Sequence, residues 1–243
     1  MTEHALFTWL RPIEIPISTG GVISLRGSID RVDSFVMDGK NYIRVVDYKT
    51  GSKEFKLSDV FYGLNMQMII YLFSIWANGE SKYGDVVPAG VLYMPSGEKY
   101  INANRNIDSE NLKNENNKNN KLKGFVLSDS VIIESMEEGK KKIFIPASLD
   151  KENKPTGNVL TIGQIGVLKE KIDSILKEMA EELLKGNINA YPVKGKDYEH
   201  TCEYCDYKDV CNIEEYDKRK EIKDRDFTEI STTMLCKDGE ENG

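Results

Sequence analysis

The chain has no long apolar run. Nowhere in its 243 residues do about 18 consecutive hydrophobic side chains occur, the length a membrane-spanning helix needs. Met1 to Leu10 lacks the basic, then apolar, then small-residue order of a secretory signal. Cysteines number only four, and three of them are clustered. That argues against a disulfide framework and for metal binding in a reducing, cytoplasmic compartment. No Gly-x4-Gly-Lys-Ser/Thr loop is present, so any nucleotide-driven motor of that type lies elsewhere. Internal repeats are missing as well. Basic charge is in short supply: 33 Lys and Arg stand against 40 Asp and Glu, for a net charge of −7. A self-sufficient nucleic-acid binder is usually basic. Two arrangements reconcile an acidic chain with such a role: a carboxylate-rich metal site that needs little basic surface, or a partner protein that supplies the phosphate contacts.

What is present suffices for a core, with 40% hydrophobic and 9% aromatic residues. Ile13 to Ile17 alternates like a short strand, and Val22 to Phe35 reads as a long strand or hairpin arm. Asp38-Gly39 is the strongest hairpin signal available, and the β-branched segment Tyr42 to Lys49 follows it. A helix is expected from Ser58, as N-cap, to Ala77. Phe61, Leu64, Met68, Leu72 and Ile75 would share its buried face and Gly79 would end it. Val86 to Tyr93, apolar on both faces, reads as a central strand.

Seven asparagines and four lysines crowd residues 106–123, which reads as a disordered surface insertion. Val131 to Ile145 reads as weak strand and Pro146 to Asn158 as loop. Gly163 to Lys185 is an amphipathic helix with Gly186 at its C-terminal cap. The expected class is α/β, a mixed central sheet flanked by helices. The expected division is a core at 1–200, a cysteine-rich clasp at 201–228 and a flexible tail at 229–243.

Chemistry concentrates at strand ends. Asp47-x-Lys49 follows the apolar strand Ile43 to Val46, and residues two apart on a strand point to one face. Asp30 ends another apolar stretch. Magnesium prefers oxygen ligands and is commonly held by one or two carboxylates with waters and substrate phosphate. Asp30 and Asp47 can supply the carboxylates, with a backbone carbonyl near Tyr48 as a third oxygen. Lys49 would orient the attacking water or offset charge on a phosphate. Gln67 and Tyr71, four apart, share a helix face and could meet the metal site or the DNA backbone. Taken singly, Asp30-Arg31 and Asp47-Lys49 read more readily as surface ion pairs at strand ends, and it is their joint order and spacing that points to a site.

Cys202-x2-Cys205-x5-Cys211 has a chelating spacing. The fourth ligand is His200, Cys236 or a group outside the chain, and three cysteines with His200 would make a zinc site. Trp9, Trp76 and the twelve tyrosines are better read as packing than as base-stacking platforms. The run Lys140-Lys141-Lys142 reads as a solvated turn.

Gly27-Ser28-Ile29-Asp30-Arg31-Val32-Asp33, Asp47-Tyr48-Lys49-Thr50-Gly51 and Gln67-x3-Tyr71 resemble the motifs of the RecB-like branch of the PD-(D/E)xK nucleases. Within that branch the similarity is to the C-terminal nuclease region of AddB-type subunits, from about Glu14 to Tyr216. It takes in Lys121 to Leu127, the stretch from Gly186 to Pro192 and the terminal cysteines. The resemblance implies a restriction-endonuclease-like core and Mg2+-dependent cutting of single-stranded DNA during double-strand-break repair, beside an AddA-like helicase–nuclease subunit and away from membranes.

By motif, the resemblance assigns Asp30, Asp47 and Lys49 to the catalytic core, Gln67 and Tyr71 to its support, and Glu14 to an acidic position on the preceding strand. It further implies that Cys202, Cys205 and Cys211 hold a [4Fe-4S] cluster whose fourth cysteine lies upstream. No cysteine precedes Cys202 and His4 is a poor match for an upstream histidine, so the chain is expected to be a fragment of a longer protein. Two other readings are a non-catalytic scaffold that binds DNA or a partner through a degenerate nuclease fold, and a nuclease of the CRISPR-adaptation type.

Overall fold

A computed structural model describes residues 5–9, 12–18, 20–50, 54–97, 107–139, 142–211, 213–214 and 218–234. The strands and helices run β1 (Ala5–Trp9), β2 (Ile13–Pro16), β3 (Val22–Leu25), β4 (Ser28–Met37), β5 (Lys40–Lys49), α1 (Leu57–Phe61), α2 (Gln67–Asn78), α3 (Glu80–Tyr83), β6 (Val86–Pro95), α4 (Ser109–Asn119), β7 (Lys123–Leu127), α5 (Ser130–Met136), β8 (Ala147–Leu149), β9 (Pro155–Gly157), β10 (Val159–Leu160) and α6 (Ile162–Leu184). Short elements follow: β11 (Val193–Lys194), α7 (Lys208–Cys211), β12 (Lys220–Glu221), α8 (Phe227–Glu229) and a π turn at Ile230–Met234.

Asp38 and Gly39 close the β4–β5 hairpin at φ of 51° and 77°, the doubly positive geometry that matches strand twist. The hairpin sits inside a six-stranded sheet of order β1-β4-β5-β6-β7-β10. β4 is antiparallel to β5, β5 parallel to β6, and β6 antiparallel to β7. The parallel step needs a crossover, and α1 to α3 provide it. The sheet is therefore mixed and flanked by helices, with β6 central.

Two cores lie on the two faces of the sheet. On one, Met68, Ile69, Leu72 and Ile75 of α2 and Ile165, Leu168 and Ile172 of α6 pack on Val32, Ile43, Val45 and Val91. On the other, Ile133 of α5, Ile145 and Ala147 cover Val46, Leu92 and Val126. The capping box of Thr161 and Gln164 starts α6, and Gly186 follows its C-cap Lys185. No helix among the described residues is long and apolar enough to cross a membrane.

Five local expectations are corrected. The single helix over Ser58 to Ala77 is two, because Gly63 and Asn65 take φ of 81° and 53° between α1 and α2. Ser58 is no cap: Lys56 holds that position, and Ser58 is buried within the turn. The long arm over Val22 to Phe35 breaks at Arg26-Gly27 into β3 and β4. Residues expected as strand over Val131 to Ile145 begin as α5, since the Asp129 carboxylate accepts from the Val131 and Ile132 amides. The loop over Pro146 to Asn158 contains the β8–β9 hairpin.

In the polar stretch 106–123, Asp108 caps α4 by accepting from the Asn111 amide at 2.7 Å. α4 buries no residue. It is a solvated helix, where the composition suggested none. In the tail, Ile230 is fully buried in the main core, so the chain is anchored there.

Candidate active site

The β4–β5 register pairs Arg31 with Val46. Asp30 lies one residue beyond this last register pair of the ladder, at the strand end that neighbours Tyr48. Asp30 Oδ2 accepts from the Tyr48 amide at 3.4 Å. Asp47 is only 8% exposed. Its Oδ2 lies 2.5 Å from Lys49 Nζ, as an ion pair whose geometry is not that of a hydrogen bond, so among the described residues no hydrogen bond reaches that buried oxygen. The expected convergence of Asp47 and Lys49 thus exists, and Asp30 is beside them.

α2 supplies a second wall. Gln67 Nε2 donates to the Tyr71 hydroxyl at 2.9 Å. The Tyr71 ring runs across Gly27, where a Cβ would stand 2.7 Å from the ring and 2.8 Å from its oxygen. Glycine is needed there for space, three residues before Asp30. The pair Gln67–Tyr71 is thereby fixed at the entry to β4. Ile13 and Leu25 help line a small cavity of about 40 Å³ beside Gly27 and Tyr71. Glu14 does not face it. It lines a separate groove with Ala77, Lys169 and Asp173.

Three residues not singled out in the sequence belong to this neighbourhood. Tyr93 pairs in register with Asp47 across the parallel β5–β6 ladder, and its ring lies 5.4 Å from Lys49 Nζ. Burial, with the nearby charges of Asp47 and Asp59, pushes its phenol up to about 12. Asp59 is buried in α1 and accepts from Asn65 Nδ2 at 2.8 Å and from the Tyr198 hydroxyl at 2.7 Å. Burial and the bond to Asp59 raise Tyr198 far above its usual value. No local pattern marks these residues, because each acquires its role from a partner on another element.

The segment from β11 onward straps over α1. Lys56 Nζ pairs with Asp197 and, at 2.6 Å, with Asp224. Lys220 Nζ donates to the Tyr62 carbonyl at 2.9 Å and the Lys223 amide to the Tyr62 hydroxyl at 3.2 Å. Within this strap the cysteines are separate thiols. Cys205 and Cys211 are exposed, and Cys202, half-buried, accepts from Arg219 Nη1 at 3.5 Å. Among the described residues no three His, Cys, Asp or Glu side chains gather as a metal cage. His200 Nδ1 lies 2.9 Å from Glu203, whose carboxylate raises the imidazole pKa. Cys236, His4, Gly51, Lys140 and Lys141 fall outside the described residues.

The Asp30–Asp47 pair fits a hard divalent cation. Its donors are oxygens, there are two of them on facing strands, and one is buried without a hydrogen bond among the described residues. Water and substrate oxygens would complete such a shell, since one or two carboxylates with waters and substrate phosphate are the common arrangement for magnesium.

Residues 1–212 match the PD-(D/E)XK nuclease superfamily. The chain is 36% identical over 241 residues to an ATP-dependent helicase/deoxyribonuclease subunit from Thermoanaerobacter sp. (strain X514), covering 94% of this chain and 21% of that protein. It is 37% identical over 242 residues to the subunit of the same name from Clostridium novyi (strain NT), covering 95% and 21%. The counterpart from Ruminiclostridium cellulolyticum is 36% identical over 236 residues, covering 92% and 20%. The chain spans about a fifth of the length of these curated relatives.

Proposed function

We propose, for a chain that belongs to the PD-(D/E)XK nuclease superfamily, that it is a Mg2+-dependent deoxyribonuclease domain acting on single-stranded DNA. The observation that carries this reading is the meeting of Asp30, Asp47 and Lys49 at one end of the β4–β5 ladder. Asp30 and Asp47 would hold the cation. When bound, the ion supplies Lewis-acid polarisation of the phosphate and a more acidic water.

The chain's own residues do the rest. Lys49 orients the attacking water and offsets the negative charge that builds on the phosphoryl oxygens. Water adds to phosphorus, one P–O ester bond breaks, and a hydroxyl end and a phosphate end separate. Gln67 and Tyr71 support the strand end that carries Asp30.

The names of the relatives supply the setting. We infer that the domain works within an ATP-dependent helicase–nuclease that processes double-strand breaks, beside an AddA-like subunit. Such a partner would provide phosphate contacts that a chain of net charge −7 does not. We further infer that Cys202, Cys205 and Cys211 ligate a [4Fe-4S] cluster in the longer protein, with zinc as the alternative. The support is the family resemblance together with their spacing, and the fourth ligand is the upstream cysteine that the resemblance implies for a cluster, or His200, Cys236 or an outside group for zinc. Anaerobically purified full-length protein decides: broad visible absorption is expected, and colourless protein with one zinc per chain overturns the cluster.

The cutting experiment uses the full chain, and in parallel its complex with an AddA-like subunit, on labelled single-stranded DNA with Mg2+. Asp47→Ala and Lys49→Ala are expected to abolish cleavage. Parent-level cutting by either variant overturns the assignment of these residues, and a parent that does not cut, with Asp30→Ala binding Mg2+ as the parent does in calorimetry, favours a scaffold.

A further inference from the structure

Lys49 has two neighbours that pull on its ammonium. One is Asp47 Oδ2 at 2.5 Å. The other is the ring of Tyr93, over which Nζ lies 5.4 Å from the centroid. A ring at this distance attracts a cation through the negative face of its π system. The ring is not free to turn away. Phe55 packs on it at 5.9 Å and is itself packed on Phe125 at 5.9 Å. Tyr93 is 4% exposed, and Phe125 is fully buried.

The two neighbours have different consequences. An ammonium held by Asp47 alone competes with any cation for that carboxylate. An ammonium that also rests on a neutral ring can give up the carboxylate and stay in place. A tyrosine phenol is neutral at pH 7, so the ring offers attraction without adding a charge.

We propose that Tyr93 is a positioning residue for Lys49: its ring face holds the ammonium at the site, so that Asp47 is released to bind a divalent cation. The proposal rests on the nuclease reading above. It adds a part of the site contributed by the neighbouring strand, two residues beyond Val91 in the core.

The test replaces Tyr93 in the full chain with Phe and then with mono-, di- and trifluorinated Phe. Fluorine drains the ring face with little change of shape. Tyr93→Phe is expected to cut within about twofold of the parent. Across the fluorine series turnover should fall stepwise, by on the order of tenfold in all, with KM for DNA and the melting temperature unchanged. Mg2+ affinity, measured by calorimetry, should weaken in the same order. In a Lys49→Gln background that dependence of Mg2+ affinity should vanish.

A flat series beside an inactive Lys49→Gln variant overturns the role of Tyr93 and leaves the nuclease reading standing. A series that weakens Mg2+ binding equally in the Lys49→Gln background assigns the effect to packing, and also overturns it. A Lys49→Gln variant that cuts like the parent overturns the role of Lys49 and with it that of Tyr93.

Discussion

Asp30 Oδ2 accepts a hydrogen bond at 3.4 Å from the amide of Tyr48, the residue between Asp47 and Lys49. An antiparallel register fixes two side chains more firmly than a loop can, since a slip of one residue sends both to the opposite face. The Tyr48 bond ties the Asp30 carboxylate to the strand that carries Asp47 and Lys49. Asp30→Asn keeps the shape and removes one charge. Turnover should drop by about 10²–10³-fold, and Mg2+ affinity in calorimetry should drop with it, while the melting temperature stays within a degree or two of the parent.

Gly27 and Tyr71 make a reciprocal prediction. A methyl group at position 27 would meet the Tyr71 ring at 2.7 Å. Gly27→Ala should therefore cost about 1–3 kcal/mol of stability, read by urea unfolding, and should lower cleavage by displacing the start of β4. Tyr71→Ala makes room. The double variant should be more stable than the two single losses add to, and strict additivity would show that the close approach is unimportant.

Asp33 gives a pH dependence. Burial opposes its charge, but Arg31 at 2.7 Å and Arg44 at 2.8 Å overcome that penalty and lower its pKa. The folded value lies below the unfolded one, so the stabilisation is complete above the unfolded pKa of about 4. It disappears as pH falls through the lower folded value. Asp33→Asn should cost about 3–5 kcal/mol at pH 7 by leaving two part-buried guanidinium groups unpaired. The gap in unfolding midpoint between parent and variant should stay constant from pH 8 to 5 and narrow below pH 4.

Tyr198 and Asp59 test the strap. Tyr198→Phe removes one of the two hydrogen bonds described for the Asp59 side chain and should destabilise by about 1–3 kcal/mol. Hydrogen exchange should rise over α1 and over the strap together, and leave α6 unchanged. Faster exchange in the strap alone would separate it from the core.

How far the sequence announces this molecule depends on the range of the interaction. Asp38-Gly39 dictates its turn locally, and α6 carries its cap, its apolar stripe and its terminal glycine within one segment. Those elements were legible. The break at Gly63 and Asn65 was not, because an apolar stripe runs through it and tertiary packing of Tyr62 against Lys220 and Lys223 lies far away in sequence. α5 was missed for the opposite reason: its Asp129 cap outweighs β-branched Val131, Ile132 and Ile133. In the site, Asp47 and Lys49 could be placed on one face from their spacing. Tyr93 could not, since its place beside Asp47 follows from a parallel pairing that no local pattern encodes.

The strap has one last bearing, on biogenesis. Asp59 meets Tyr198 across 139 residues, and Lys56 meets Asp224 across 168. On the ribosome, α1 emerges long before the side chains that secure it, so its carboxylate must wait, hydrated, for its lock to be synthesised. Contacts this distant form late and slowly.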